Sequence, residues 1–293
     1  MPDVDLEPTP RDYAALRTSI DRGLSLLPPE LRQQLDSVRR ELADLGDQKA
    51  ELERLKRTNA DPIQLQARQE AFQAAVARME VNNAGAESMM EAFRAELIQD
   101  SPVSREAARD LVGTLDVDPL AFTETLYFEL CDAVQLTRGA PIENLRSITA
   151  RGVADPYSSS ATASSSGSIV DLGPTPKASE LWHELGHQLE ASSEPLRRIA
   201  LAFVRSRAVG EPTPLEAQSP GAARAGAPAP VIYSGRFPFD YLGKVYADGS
   251  TEVLSVGLEL FQSSKAMTAF CLTDPEHFAL MLSALIGASA RAK

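Results

Sequence analysis

The sequence predicts a mostly helical α+β protein, with a helical N-terminal part followed by a mixed C-terminal part. Apolar residues recur at steps of three and four through residues 30–99, which is the spacing of amphipathic helices. Later apolar segments often begin at a serine, threonine or aspartate, and several have proline next, a combination that starts helices. Among the few strand-like segments, residues 168–172 are the clearest. We therefore expect a helical domain over residues 1–140 and a second domain with a small sheet over residues 142–293.

The N-terminal part is expected to be helical after a frayed tail at residues 1–11. Residues 12–27 predict a short helix that a Pro-Pro pair ends. The next segment follows a heptad seam, although Lys49 takes one of its places. The seam residues are Leu31, Leu35, Val38, Leu42, Leu45 and Leu52. The segment 59–62, Asn-Ala-Asp-Pro, separates this helix from a second one that ends near Gln99.

The two long helices would form an antiparallel, coiled-coil-like hairpin over residues 30–99. Amphipathic helices mostly pack against a core, which is one role for this hairpin. The other role is contact with a partner protein or with a second copy of the chain. The pattern of apolar residues is compatible with both.

Shorter elements connect the hairpin to the C-terminal part. A helix near residues 104–112 and another opened by Asp118 and the proline after it are expected. Residues 147–153 predict a strand, and the run 157–168, dominated by serine and alanine, predicts a mobile loop. The strand at 168–172 would lie at the rim of a cleft, where an extended peptide could pair with it.

The C-terminal part is expected to contain four further helices. Thr175, followed by proline, is expected to cap the first, and residues 196–207 form the second. The segment 208–230 is rich in glycine, proline and alanine and predicts a flexible loop, which is either a lid over the cleft or a passive insertion. The third helix starts near Ser250, and Asp274 with its following proline caps the last.

Charge and composition exclude several classes of function. The net charge of −12 argues against sequence-independent nucleic-acid binding and against an anionic membrane partner, because both require a basic surface. The acidic N-terminus does not resemble a signal peptide, and no apolar run reaches the roughly 20 residues of a membrane helix. We therefore expect a cytoplasmic protein. Cys131 and Cys271 lie in apolar segments and are expected to be reduced and buried.

Residues 183–187 carry the pattern His-Glu-x-x-His on a segment predicted to be helical. Residues four apart lie one turn above each other, so His183 and His187 can offer two imidazole nitrogens to one metal ion. Glu184 lies about 100° around the helix, where its carboxylate could act on a water without binding the metal. This set favours zinc hydrolysis chemistry. An ordinary amphipathic helix is the alternative, but two of only three histidines in the chain stand here.

A catalytic zinc ion usually has three protein ligands, so one more is expected. No third histidine follows His187 at the short spacing of the three-histidine metalloproteases, which favours a carboxylate. Glu252 lies in an otherwise apolar segment, where a buried carboxylate needs a cation or hydrogen bonds. Glu259, seven residues later, shares nearly the same helix face and is the second candidate. The alternative role for Glu252 is to cap its own helix.

Taken together, the two motifs resemble those of the gluzincin clan of zinc metallopeptidases. The resemblance rests on His-Glu-Leu-Gly-His at 183–187 and Glu-Val-Leu-Ser at 252–255, and it covers about residues 142–287. Val256 stands where an aspartate usually follows, and the two motifs lie further apart than in that clan. Residues 241–255 are also similar to stretches in metallopeptidase-like proteins encoded by phages and prophages.

The resemblance implies a zincin-like domain in which two helices carry a Zn²⁺ site. His183, His187 and Glu252 would bind the metal, Glu184 would take a proton from the attacking water, and Tyr246 would stabilise the oxyanion. Other candidates for the oxyanion donor are Tyr241, Tyr233 and His277. Two carboxylates are candidates for orienting a ligand histidine, Asp248 and Glu180.

Two functional hypotheses follow from the sequence. The first is a zinc-dependent endopeptidase that hydrolyses peptide bonds of a protein substrate. The second is a non-catalytic structural or adaptor protein, of the kind associated with phage virions, whose zinc site is structural or vestigial. In the second hypothesis residues 30–99 assemble the protein into an oligomer.

Overall fold

A computed structural model describes residues 7–58, 61–118, 123–142, 145–150, 164–166, 168–173, 175–215 and 230–287. Within these ranges the chain is mostly helical and contains two small sheets, so the predicted fold class is confirmed. Most of the serine-rich run and most of the Gly/Pro/Ala-rich segment lie outside the described residues.

Three helices form the N-terminal part: α1 (Pro10–Leu26), α2 (Pro29–Arg57) and α3 (Pro62–Gln99). Helices α2 and α3 pack against each other as the predicted antiparallel hairpin. Its buried residues are Leu31, Leu35, Val38, Leu52 and Leu55 from α2, and Ala75, Ala86, Met90 and Phe93 from α3. Leu42, a predicted seam residue, is 43% exposed, so the seam is interrupted at the centre of α2.

Seven further α-helices follow in the described part of the chain. They are α4 (Arg105–Gly113), α5 (Glu124–Leu136), α6 (Ala178–Ala191), α7 (Glu194–Arg207), α8 (Val253–Glu259), α9 (Ser264–Thr273) and α10 (Pro275–Gly287). Side chains at the N-terminal ends of several of them accept hydrogen bonds from the first turn, as Ser104 does for α4 and Ser263 for α9.

Two short-stranded sheets accompany the helices. The first contains β1 (Asp116–Val117), β2 (Ser147–Thr149), β3 (Ser164–Ser166) and β4 (Ile169–Asp171) in the order β1-β2-β4-β3. Its pairs are parallel except for β3 with β4, which is antiparallel. The second sheet is antiparallel and contains β5 (Thr213–Pro214), β6 (Val231–Ile232) and β7 (Lys244–Val245).

One hydrophobic cluster joins the N-terminal helices to the C-terminal ones. Helix α1 packs against α7 and α10, and α3 packs against α9. The approach of α1 to α10 is close, because a Cβ at Gly23 would lie 1.8 Å from the carbonyl oxygen of Ala279. The predicted domain boundary near residue 140 stays a prediction.

Two predicted elements differ from the structure, and a third falls outside the described residues. Helix α5 begins after Thr123, whose hydroxyl caps it, whereas residues 119–122, which follow the predicted helix start at Asp118, are not among the described residues. Ser164–Ser166 forms a strand, because its backbone pairs with β4. Helix α6 is preceded by Lys177, whose peptide N–H donates to Glu180, and not by Thr175.

The position of β4 also differs from the prediction. This strand pairs with β2 on one side and with β3 on the other, so an added peptide cannot pair with it at the rim of a cleft. In the described part of the first sheet, β3 lies at the end of the strand order.

The two cysteines agree with expectation. Cys131 in α5 and Cys271 in α9 are buried free thiols. No helix among the described residues is both long and apolar enough to cross a membrane. In the segment 208–230, Ala208 bridges to Gly235 and Thr213–Pro214 is strand β5, while residues 216–229 lie outside the described residues.

Candidate metal centre

Helix α6 presents both motif histidines on one face. Their ring centroids are 5.1 Å apart, and both side chains are largely buried. The opposite side of the helix is apolar and anchors it in the core, with Leu181, Trp182, Leu185 and Leu189 buried. The periodicity that places apolar residues inward therefore also directs both imidazoles to the same place.

Helix α8 crosses α6 directly beside the histidines. A Cβ at Gly186 would lie 2.4 Å from Cα of Ser255 and 2.6 Å from the carbonyl oxygen of Leu254, so only glycine permits this approach. The close crossing brings Glu252, at the N-cap position of α8, against the motif face. The glycine between the two histidines thus determines how near the third candidate ligand can come.

The fully buried Glu252 completes a candidate ligand set. Its Oε2 is 3.3 Å from Nε2 of His183 and 3.2 Å from Nε2 of His187. Two ligand atoms at about 2.0–2.1 Å from a tetrahedral zinc ion lie about 3.3 Å apart, which is the spacing seen here. Two imidazole nitrogens and one carboxylate oxygen also have the chemistry of a catalytic zinc site. The three residues brought together by the structure are those that the sequence predicted.

Hydrogen bonds fix the orientation of Glu252. Tyr246 donates its hydroxyl to Oε1 at 2.6 Å, and Ser255 donates its hydroxyl to Oε2 at 2.9 Å. Burial disfavours the charge of this carboxylate, but hydrogen bonds from the two histidines hold its pKa well below the usual range. Its side chain makes no capping bond to α8, so the alternative role of a helix cap is wrong.

Glu259 lies behind His183 and does not join the ligand set. Its Oε2 is 3.1 Å from Nδ1 of His183. A proton on Nδ1 that is donated to Glu259 leaves the lone pair of Nε2 for a metal. Burial lowers the pKa of His183, but hydrogen bonds to Glu252 and Glu259 outweigh burial and raise the pKa to about 9. A metal would therefore displace a proton from this imidazole.

Glu259→Ala is expected to weaken zinc binding by about 10–100-fold, the usual effect of removing a carboxylate that orients a ligand histidine. The measurement is competition with a chromophoric chelator, and Glu80→Ala, on the exposed side of α3, is the control. If Glu259→Ala abolished binding as completely as Glu252→Ala, Glu259 would itself be a ligand.

The two predicted orienting carboxylates are engaged elsewhere. Asp248 accepts hydrogen bonds from the backbone and hydroxyl of Ser250, which close a turn. Glu180 accepts from the backbone and side chain of Lys177 at the start of α6. Neither carboxylate is hydrogen-bonded to His183 or His187 among the described residues, so the prediction that one of them orients a ligand histidine is wrong. Glu259 has that role for His183.

Two of the four candidate oxyanion donors lie at the site. The ring of Tyr241 is 6.2 Å from that of His183, and the ring of Tyr246 is 6.1 Å from that of His187. Burial and the charge of Glu252 raise the pKa of both phenols, which therefore stay protonated and can donate. Lys244, which the sequence did not single out, donates to the hydroxyl of Tyr246 at 2.7 Å.

The other two candidate donors lie elsewhere. Tyr233 stacks under the guanidinium of Arg205. His277 is buried between Phe203 and Phe270, and its Nε2 is 2.8 Å from the carbonyl oxygen of Val253. Burial lowers the pKa of His277 to about 4, so this ring is neutral at physiological pH.

Glu184 is 3% exposed and belongs to the same helix turn as His183. Its charge contributes to the raised pKa of His183 and of Tyr241, so its carboxylate lies within electrostatic range of both. A carboxylate so close to His183 is a candidate to accept a proton from a water bound in the site.

Gly186→Ala is expected to destabilise the fold by at least about 1–3 kcal/mol and to weaken zinc binding, because the new Cβ forces α8 away from α6. Thermal unfolding and chelator competition measure the two effects. Gly46→Ala is the control, since a Cβ at Gly46 meets nothing within 4 Å. That change should stabilise the protein slightly. Native zinc affinity in Gly186→Ala would contradict the importance of the close crossing.

Comparisons of the chain with protein-family models, with curated proteins and with solved structures found no match. The inference of function therefore rests on the residues of the site and their geometry.

Proposed function

We propose that the protein is a zinc-dependent endopeptidase of the gluzincin type, with a protein or peptide as its substrate. The proposal rests on the convergence of Nε2 of His183, Nε2 of His187 and Oε2 of Glu252. The buried carboxylate of Glu184 lies within electrostatic range of His183. Three ligands of this kind leave one position of a tetrahedral zinc ion open, as in catalytic sites.

Each residue of the site has a distinct role in this proposal. Zinc, when bound, supplies a Lewis acid that polarises a carbonyl group and lowers the pKa of water. His183, His187 and Glu252 hold it. Glu184 accepts a proton from the attacking water on its carboxylate and returns a proton to the leaving amine.

Tyr246 and Tyr241 are the candidate donors to the oxyanion that develops on the carbonyl. The hydroxyl of Tyr246 donates to Glu252, so it must leave this carboxylate before it can donate to a substrate. Tyr241, whose residue is 45% exposed, is the second candidate, and its hydroxyl also interacts with Glu252. Comparing Tyr241→Phe with Tyr246→Phe separates the two roles, because an oxyanion donor changes kcat and a support for Glu252 changes zinc affinity.

A diverse peptide library, analysed by mass spectrometry, tests the proposed activity. The zinc-loaded protein is expected to cut a subset of peptides at internal bonds, and removal of zinc by a chelator is expected to stop cleavage. Cleavage that persists in the chelated protein would exclude the zinc mechanism.

A structural or adaptor role through the hairpin is the second candidate. Its distal half carries apolar side chains in solvent, since Ile63 is 77% exposed and Val81 is 72% exposed. Assembly through residues 30–99 would cover them. A concentration-dependent oligomer that Ile63→Ser and Val81→Ser dissociate, together with no cleavage in the library, would favour this role.

A further inference from the structure

The buried carboxylate of Glu190, in α6, accepts hydrogen bonds from Thr251, the residue that precedes Glu252. Glu190 is 1% exposed, and both of its oxygens accept from the peptide N–H of Thr251, at 3.1 and 3.2 Å. The hydroxyl of Thr251 also donates to Glu190, at 3.0 Å. Two donors of a single residue thus meet one carboxylate across the α6–α8 contact.

Thr251 links this carboxylate to the local structure on both sides of Glu252. Its hydroxyl oxygen accepts from the peptide N–H of Val253, in the first turn of α8. Its backbone forms a bridge with Val245 in the strand that also contains Lys244. Hydrogen bonds therefore hold the backbone in place on both sides of Glu252.

A purely structural link between two helices does not need a buried carboxylate. Burying an ionisable group is costly, and an apolar contact would join α6 to α8 without that cost. A carboxylate that binds a peptide N–H instead fixes the position of the backbone. Metal ligands need such fixing, because their geometry must hold within about 0.5 Å.

We propose that Glu190 is a positioning residue for the metal ligand Glu252 and that it acts through Thr251. This inference rests on the proposed zinc site and deepens it. Helix α6 then supplies the two histidines. Two turns after His183 it also supplies the carboxylate that positions the third ligand, Glu252. Glu190 itself does not contact the metal or the substrate.

Zinc affinity in variants of Thr251 tests the proposal. Thr251→Val removes the hydroxyl but keeps the size, and its dissociation constant for zinc is expected to rise by about 10–100-fold. Thr251→Ser restores the hydroxyl and is expected to restore affinity. The control is Thr268→Val, which removes a fully buried hydroxyl from α9 and is expected to cost stability but not zinc affinity. Equal zinc affinities of Thr251→Val and Thr268→Val would overturn the proposal.

A second measurement needs no metal. In the zinc-free protein, hydrogen exchange of the Thr251 amide is expected to be at least about tenfold faster in Glu190→Leu than in the native protein, because leucine offers no acceptor for this N–H. An unchanged rate would overturn the proposal. A native protein that binds no zinc would refute the proposed function, whereas the exchange measurement would still report whether Glu190 holds the backbone beside Glu252.

Discussion

Replacing Glu184 by glutamine is expected to abolish cleavage while leaving zinc bound. Glutamine has the size and shape of glutamate but cannot accept the proton of the attacking water. Loss of a general base typically lowers the rate by about 10²–10⁴-fold. The measurement is the initial rate on a peptide identified in the library, with the zinc content determined on the same sample.

The control for this variant is Glu180→Gln, on the same helix, whose carboxylate contacts Lys177 at the start of α6 and not the histidines. It should retain zinc and cut close to the native rate. Native activity in Glu184→Gln would remove this carboxylate from the mechanism. Loss of zinc from Glu184→Gln would mean that it helps to bind the metal.

His187→Ala is expected to lose zinc under conditions in which the native protein keeps it. Structural sites with four ligands bind zinc with about 10–16 kcal/mol, so one ligand contributes about 3–4 kcal/mol, or two to three orders of magnitude in affinity. A bound ligand also stabilises the folded state, by about 2.7 kcal/mol at 100 times its dissociation constant. Zinc should therefore raise the Tm of the native protein and not that of His187→Ala.

The third histidine supplies the control for this prediction. His277→Ala removes a buried ring between two phenylalanines, so it is expected to lower the Tm. Its zinc-dependent rise in Tm should remain, because His277 lies outside the ligand set. If zinc raised the Tm of His187→Ala as much as that of the native protein, His187 would not be a ligand.

The parts of the site that sequence could predict are those fixed by short-range geometry. The spacing of His183 and His187 is a property of the helix, so a helical prediction was enough to align their rings. Glu252 could be found because a carboxylate among buried apolar residues needs a partner. Its position at the N-cap, and not inside α8, did not alter that argument.

Contacts between segments that are distant in the chain could not be predicted from local spacing. Glu259 was a candidate ligand by its helix face, but only the crossing of α6 and α8 decides that it meets Nδ1 of His183 and not the metal position. The bonds of Thr251 to Glu190 likewise depend on packing. The contact of Lys244 with Tyr246 is local, and the signal for it was available, since residues two apart share one face of an extended segment.

The wrong secondary-structure predictions have physical causes. The composition of Ser164–Ser166 suggested a loop, but strand pairing uses backbone groups and needs no apolar side chain. Pairing within a sheet thus prevailed over local preference at Ser164–Ser166.

Zinc stoichiometry, measured by native mass spectrometry, tests the central claim most directly. The native protein, reconstituted with zinc and freed of excess metal, is measured beside Glu252→Ala and Glu259→Ala. One zinc ion per chain is expected in the native protein, none in Glu252→Ala, and a weakened but detectable site in Glu259→Ala. A native protein that holds no zinc after reconstitution would contradict this claim.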